Sequence, residues 1–164
     1  MHVYPFHKDC FPQKLLDITK DKKTIFVIVK GDSNLGKTEG IKSMLNEIYG
    51  IEHVLFVRSK EDFKNYKKNF HKAILMDDFK FKKEFPTRED RIHIMDSNNP
   101  CTIDVKHGAI NLASQLLKIL TTNREFNEII DLNDLAQTRR AKCIAITKPL
   151  YLQININITR QHGK

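Results

Sequence analysis

Apolar and polar positions follow two different periods along this chain, and their alternation predicts a sheet covered by helices. Apolar segments typical of strands buried on both faces lie at 24–29, 53–58, 72–79 and 116–123. Ile41, Met44, Leu45 and Ile48 recur at helical spacing, and Gly50 follows where a helix would end. Strands that alternate with helices favour an α/β fold with a central, mostly parallel sheet.

The remaining pattern predicts a further set of elements. They are an amphipathic helix at 61–70, a helix at 88–96, a hairpin at 101–114 and one half-buried strand at 149–159. The hairpin is expected to turn near Lys106, His107 and Gly108. We therefore expect three parts, which are a leader at 1–23, one domain at 24–148 and a C-terminal strand and tail at 149–164.

Composition narrows the class of protein. The 164 residues suit one domain, and a net charge of +8 agrees with a polyanionic partner as well as with a lysine-rich solvated surface. No apolar run approaches the roughly 18 residues that span a bilayer, so no membrane partner is expected. The three cysteines are far apart and form no CxxC pair, which argues against a disulfide framework or a zinc site.

A glycine-framed loop follows the first predicted strand. Gly31 to Thr38 fits the pattern G-x-x-x-x-G-K-[ST], in which backbone N–H groups face phosphate oxygens and a helix begins at the lysine. Lys37 would reach the β- and γ-phosphates, and the Thr38 hydroxyl would bind magnesium. The predicted nucleotide-binding residues are Gly31, Asp32, Ser33, Asn34, Leu35, Gly36, Lys37 and Thr38.

Polar side chains end two later strands. Asp77 and Asp78 follow the apolar run at 73–76, and Asn123 ends the segment ILTTN. Ligands of parallel sheets bind at the carboxyl ends of the strands, so these residues are candidates for the same site. Asp77 would hold Mg²⁺, Asp78 would polarise the attacking water, and Asn123 would orient that water beside the γ-phosphate.

Together the segments GDSNLGKT, ILMDDF, CTIDVKHGAINLAS and ILTTN resemble, in sequence and order, the superfamily 3 helicase domain of circovirus-like Rep proteins. The resemblance covers about 24–146. It implies a three-layer P-loop NTPase fold of the AAA+ type, with ATP and Mg²⁺ bound at the glycine loop. It also implies the activity of a replicative helicase motor that hydrolyses ATP to move along single-stranded DNA, in the host nucleus if the protein is viral.

The same resemblance implies partners and further residues. The domain would form a homo-oligomeric ring, commonly a hexamer, with each ATP site at a subunit boundary. Arg139 or Arg140, in QTRRAKC, would supply an arginine to the neighbouring subunit's site. The hairpin would project into the central channel, where Lys106 and His107 would contact the phosphates of the strand.

Several alternatives stay open. RNA helicases of the same superfamily share the three motifs, so the strand is either DNA or RNA. A P-loop nucleotide kinase and a nucleic-acid-binding remnant without turnover are the other candidates. The nicking motifs of Rep proteins, His-hydrophobic-His and Tyr-x-x-Lys, do not occur in this sequence, so nicking is not assigned to it.

Overall fold

The computed structural model describes residues 26–32 and 35–146, and these contain seven strands. They are β1 Phe26–Lys30, β2 Val54–Val57, β3 Ala73–Met76, β4 Cys101–Val105, β5 Gly108–Leu112, β6 Leu117–Thr122 and β7 Ala141–Ala145. Five of them form one sheet in the order β2-β3-β6-β1-β7. Every neighbouring pair in this sheet is parallel. The predicted α/β fold with a parallel central sheet is therefore confirmed.

Helices cover both faces of the sheet. They are α1 Lys37–Tyr49, α2 Phe81–Glu84, α3 Arg88–Met95 and α4 Leu135–Thr138, with 3₁₀ turns at Ile51–His53, Lys60–Asn65 and Phe126–Glu128. On one face α1 packs Ile41, Met44 and Leu45 against alternate residues of the strands. The opposite face carries a phenylalanine-rich cluster under α2, α3 and the hairpin. Both faces of β1 and β3 are buried, and β3 is apolar throughout while β1 is apolar up to Lys30, as is typical of strands inside a parallel sheet.

The strands β4 and β5 form the predicted hairpin, separate from the main sheet. They are antiparallel, with Val105 opposite Gly108, so Lys106 and His107 form the turn. His107 takes φ 68°, in the left-handed region that few side chains adopt. Cys101, Ile103 and Leu112 anchor the hairpin to the phenylalanine-rich cluster.

The predicted amphipathic helix at 61–70 is wrong. The chain forms a 3₁₀ helix only over Lys60–Asn65, started by a capping box between Ser59 and Asp62. Tyr66 then takes an extended conformation, and its hydroxyl accepts a hydrogen bond from the Ala113 amide at 3.2 Å. This tether to the end of β5 stops the helix, and Asn69 at φ 66° turns the chain towards β3.

Smaller differences from the sequence-based expectations concern one helix residue and one edge strand. Ile48 is 44% exposed, so it lies off the buried face of α1 that its spacing predicted. β7 was not predicted, because its exposed Lys142 and Cys143 give this edge strand no apolar run. The leader at 1–23, the tail strand at 149–159, Ser33 and Asn34 lie outside the described residues. No helix in the described part of the chain is long and apolar enough to cross a membrane.

Candidate nucleotide site

The sheet order brings three sequence motifs to one edge. β6 lies between β1 and β3, so the carboxyl ends of these three strands are neighbours. Gly31 follows β1, Asp77 follows β3 and Asn123 follows β6. The Gly31 amide donates to the Thr122 carbonyl at 3.0 Å, which extends the β1–β6 ladder to the start of the loop. The motifs are separated in sequence and adjacent in the fold.

The glycine-framed loop ends in a helix start. Gly36 takes φ 74° immediately before α1, a conformation that favours glycine. At Gly31, an added Cβ would lie 3.2 Å from the Ile146 carbonyl oxygen and 3.3 Å from the Leu35 side chain, so this position too has little room. The Lys37 ammonium lies 3.4 Å from the carbonyl oxygen of Asp32, a long contact that a phosphate oxygen could replace.

Asp77 is the centre of the hydrogen-bond network at this edge. Its Oδ1 accepts from the Thr38 hydroxyl at 2.7 Å and from the Thr121 hydroxyl at 2.9 Å. Its Oδ2 lies 3.4 Å from a guanidinium nitrogen of Arg58. These contacts come from α1, β6 and the residue after β2, so three parts of the fold hold the carboxylate. The side chain is 15% exposed.

Asp78 and Asn123 lie beside this centre. Asp78 takes φ 48°, in the left-handed region, and its amide donates to the Thr121 hydroxyl at 3.1 Å. A backbone held in that region by a side-chain hydrogen bond is a feature that concentrates at functional sites. Both side chains are exposed, and both line the same cleft as Lys37 and Thr38.

The cleft has a volume of about 340 Å³ and a polar lining. Sequence reasoning missed three of its residues, Arg58, Thr121 and Thr122. The two threonines stand next to Asn123 in ILTTN, so the end of that strand carried a signal for them. Arg58 carried none, because only the pairing of β2 with β3 brings it to Asp77.

The predicted arginine pair does not reach this cleft within the chain. The carbonyl oxygen of Arg140 accepts from the Phe26 amide at 3.3 Å, at the amino end of β1. The five residues of β1 separate that end from the cleft by about 16 Å. The Arg140 guanidinium donates to the Ala136 carbonyl at 2.7 Å, and Arg139 is exposed.

The hairpin turn also lies apart from the cleft lining, but a short segment links the two. Lys106 and His107 are exposed, and the Lys106 amide donates to Glu61 Oε1 at 2.8 Å. Glu61 is three residues after Arg58, which contacts Asp77. Asp62 ties this segment together by accepting from the amides of Arg58 and Ser59 at 2.8 and 3.2 Å.

A buried lysine marks the opposite end of the central strand. Lys118 on β6 is 1% exposed, and burial lowers its pKa to about 8, an effect that Cys101 and Asp96 partly offset. Burial in turn raises the pKa of the Cys101 thiol. This ammonium lies under the base of the hairpin and is not part of the cleft lining.

The residues at the cleft fit a magnesium ion bound together with a phosphate chain. A hydroxyl and a carboxylate, those of Thr38 and Asp77, are already in contact, and Mg²⁺ takes one or two such oxygens plus phosphate and water. No group of three or more His, Cys, Asp or Glu side chains suitable for a metal occurs within residues 26–32 and 35–146. A site completed by substrate oxygens does not need such a group.

The sequence matches no protein-family model and no curated protein closely enough to establish a family.

Proposed function

We propose that this chain is an ATP-hydrolysing helicase motor of the superfamily 3 type that moves along single-stranded DNA. The observation that carries the proposal is the contact of Thr38 and Thr121 with one oxygen of Asp77. It joins the helix that follows the phosphate loop, the strand that ends in two acids and the strand that ends in Asn123. That combination suits hydrolysis of a nucleoside triphosphate, because it supplies phosphate, metal and water ligands at one edge.

Each side chain of the cleft has a distinct role in this proposal. Lys37 leaves the Asp32 carbonyl and binds the β- and γ-phosphates, together with the amides at the start of α1. Thr38 and Asp77 hold magnesium, which when bound offsets the charge of the phosphates. Asp78 accepts a hydrogen bond from the attacking water, and Asn123 orients the same water beside the γ-phosphate.

The positions of Arg139 and Arg140 support a ring. They lie at the amino ends of the strands, so neither can reach the phosphates held by its own chain. A neighbouring subunit could present one of them at the cleft, which would complete a site shared between two copies. The hexamer remains part of the proposal.

The hairpin supplies the contact with the nucleic acid. Lys106 and His107 are exposed at the end of a two-stranded ribbon, and the ammonium group of Lys106 can bind a phosphate without reading the bases. The Glu61 contact places this turn close to the segment that leaves the cleft. Nucleotide binding in the cleft and nucleic-acid binding at the hairpin can therefore influence each other.

The test is the rate of ATP hydrolysis with and without an unlabelled dT oligonucleotide. We expect the oligonucleotide to raise the rate for the parent chain, Lys37→Ala to abolish turnover, and Lys106→Ala to lose the increase. Lys142→Ala, an exposed lysine on β7, is the matched control and should behave like the parent. Phosphorylation of an added nucleoside would instead identify a kinase, and absence of ATP binding would contradict both enzyme classes.

A further inference from the structure

The segment that follows β2 concentrates positive charge beside the hairpin. Between Arg58 and Lys72 the chain has six lysines or arginines against two carboxylates, Glu61 and Asp62. Both carboxylates accept hydrogen bonds from backbone amides, Glu61 from Lys106 and Asp62 from Arg58 and Ser59. Both acids therefore hold backbone amides of the segment and of the hairpin turn in place.

Two hydrogen bonds fix the course of this segment along the hairpin. At one end Glu61 accepts from the amide of Lys106 in the turn. At the other end the Tyr66 hydroxyl accepts from Ala113, the residue after β5. The segment thus runs beside the hairpin from its turn to its base, over the roughly 16 Å of a five-residue strand.

Lys64 lies along that course, and Lys67, Lys68 and Phe70 follow Tyr66 at its end; we refer to these four exposed side chains as the basic ridge. In a 3₁₀ helix residues three apart point the same way, so Lys64 lies on the same side as Glu61, one turn further along. The Lys67 ammonium lies 5.6 Å from the centre of the Phe70 ring, which is 39% exposed. Two other lysines of the segment are not part of the ridge: Lys60 lies over the Phe85 ring, and Lys72 contacts the Asn69 carbonyl.

We propose that the basic ridge and the hairpin turn form one continuous binding surface for a single strand of nucleic acid. This inference rests on the proposed function and adds a second contact area to it. Lys106 and Lys64 bind phosphates beside the hairpin, and Lys67 and Lys68 bind those that follow past its base. The Phe70 ring packs against His53 and lies near the Lys67 ammonium, and its exposed part supplies a surface on which a base stacks, the combination typical of single-strand binding without sequence preference.

Glu61 has two opposite effects on this surface, which gives a sharp test. Its carboxylate anchors the turn through the Lys106 amide, but its negative charge lies among the cations. Glu61→Gln keeps an oxygen acceptor and removes the charge, so it should tighten binding severalfold. Glu61→Ala loses the anchor as well and should gain less than Glu61→Gln. Glu47→Gln, on an exposed part of α1, is the control for general charge and should not change affinity.

The experiment measures the affinity of the full chain for fluorescent dT₂₀ and U₂₀ over a range of salt concentrations. Each lost phosphate contact lowers the salt slope by about 0.7. We expect Lys64→Ala and the pair Lys67→Ala/Lys68→Ala to weaken binding and flatten the slope, whereas Lys142→Ala matches the parent. A difference between the two oligonucleotides identifies the sugar preferred, and equal binding assigns the surface to both.

Phe70 separates a nucleic acid from any other polyanion. Phe70→Ala should weaken dT₂₀ roughly fivefold to a hundredfold and leave inorganic polyphosphate unchanged. Phe70→Leu shows whether loss of the ring, and not of packing, is responsible. An equal effect on both polyanions overturns the proposal. The proposal is also overturned if the ridge variants bind dT₂₀ like the parent while Lys106→Ala loses affinity. That outcome leaves the proposed function intact.

Discussion

The nucleotide cleft and the hairpin turn are built in different ways. In the cleft, Asp77 is fixed by hydroxyls from α1 and β6 and is nearly enclosed. At the turn, the Lys106 amide donates a hydrogen bond to Glu61 of the neighbouring segment, and the side chains of Lys106 and His107 are exposed. The difference indicates that the carboxylate of the cleft is held in one position by its partners, whereas at the turn the backbone is tied and the exposed side chains keep their rotamer freedom.

The strongest way to break the cleft is to change its central carboxylate. Asp77→Asn keeps the size of the side chain but removes the charge that a magnesium ion needs, so hydrolysis should fall about 100-fold or more. Single-turnover hydrolysis at saturating Mg-ATP measures this loss. Asp90→Asn, an exposed acid on α3, should leave the rate unchanged, and equal rates for the two variants would remove Asp77 from the site.

A second variant tests whether the cleft is organised by the strand between its two motifs. Thr121→Val removes the hydroxyl that donates to Asp77 and accepts from the Asp78 amide. An amide left without a partner costs about 1–3 kcal/mol, so both the free energy of unfolding and the rate of hydrolysis should fall. Urea denaturation and steady-state hydrolysis measure the two effects. Parent-like values for both would show that the central strand does not organise the site.

Beneath the hairpin, the buried Lys118 predicts a free energy of unfolding that depends on pH. Its pKa is about 8 in the folded chain and 10.5 when unfolded. At pH 7 the folded chain therefore buries a charged ammonium, which lowers the free energy of unfolding. Lys118→Met should raise the free energy of unfolding by about 1–3 kcal/mol at that pH. The parent gains stability as the pH rises from 8 to 10.5, so the difference should shrink over that range. A less stable variant at pH 7 would contradict this account.

The smallest expected effect concerns the turn that carries the basic ridge. Burial, together with Lys67 and His53, lowers the pKa of His71, and its Nδ1 accepts from the Lys67 amide at 2.9 Å. The unfolded histidine therefore takes up a proton first, and stability should decline as the pH falls below about 6.5. His71→Asn keeps an acceptor that does not titrate and should show a weaker decline. Equal pH dependence by urea denaturation would exclude His71 as the cause.

The sequence was informative where one strand and the loop after it carry the signal. Apolar runs predicted β1, β3 and β6; β1 led to the glycine-framed loop, and β3 and β6 led to Asp77, Asp78 and Asn123, which line the cleft. The mutual contacts of those residues depend on β6 lying between β1 and β3, which no local pattern encodes. For that reason Arg58 was missed, whereas Thr121 stands in ILTTN, close to the predicted Asn123.

The error at 61–70 has a similar cause. Phe63, Tyr66 and Phe70 recur at helical spacing, so the period alone favours a longer helix. The Tyr66 hydroxyl bond to Ala113, a contact distant in sequence, ends the helix early. As a result, Lys67, Lys68 and Phe70 are exposed in the turn that follows the 3₁₀ helix instead of on a longer helix.

We expect nucleotide binding in the cleft to change the affinity of the proposed nucleic-acid surface, because the segment from Arg58 to Glu61 contacts both. The most direct measurement compares the affinity of the chain for dT₂₀ with saturating Mg²⁺ and either a non-hydrolysable ATP analogue or ADP. The account predicts affinities that differ by about 5–150-fold, and reciprocal changes in nucleotide affinity when dT₂₀ is bound. Equal affinities in the two nucleotide states would contradict it.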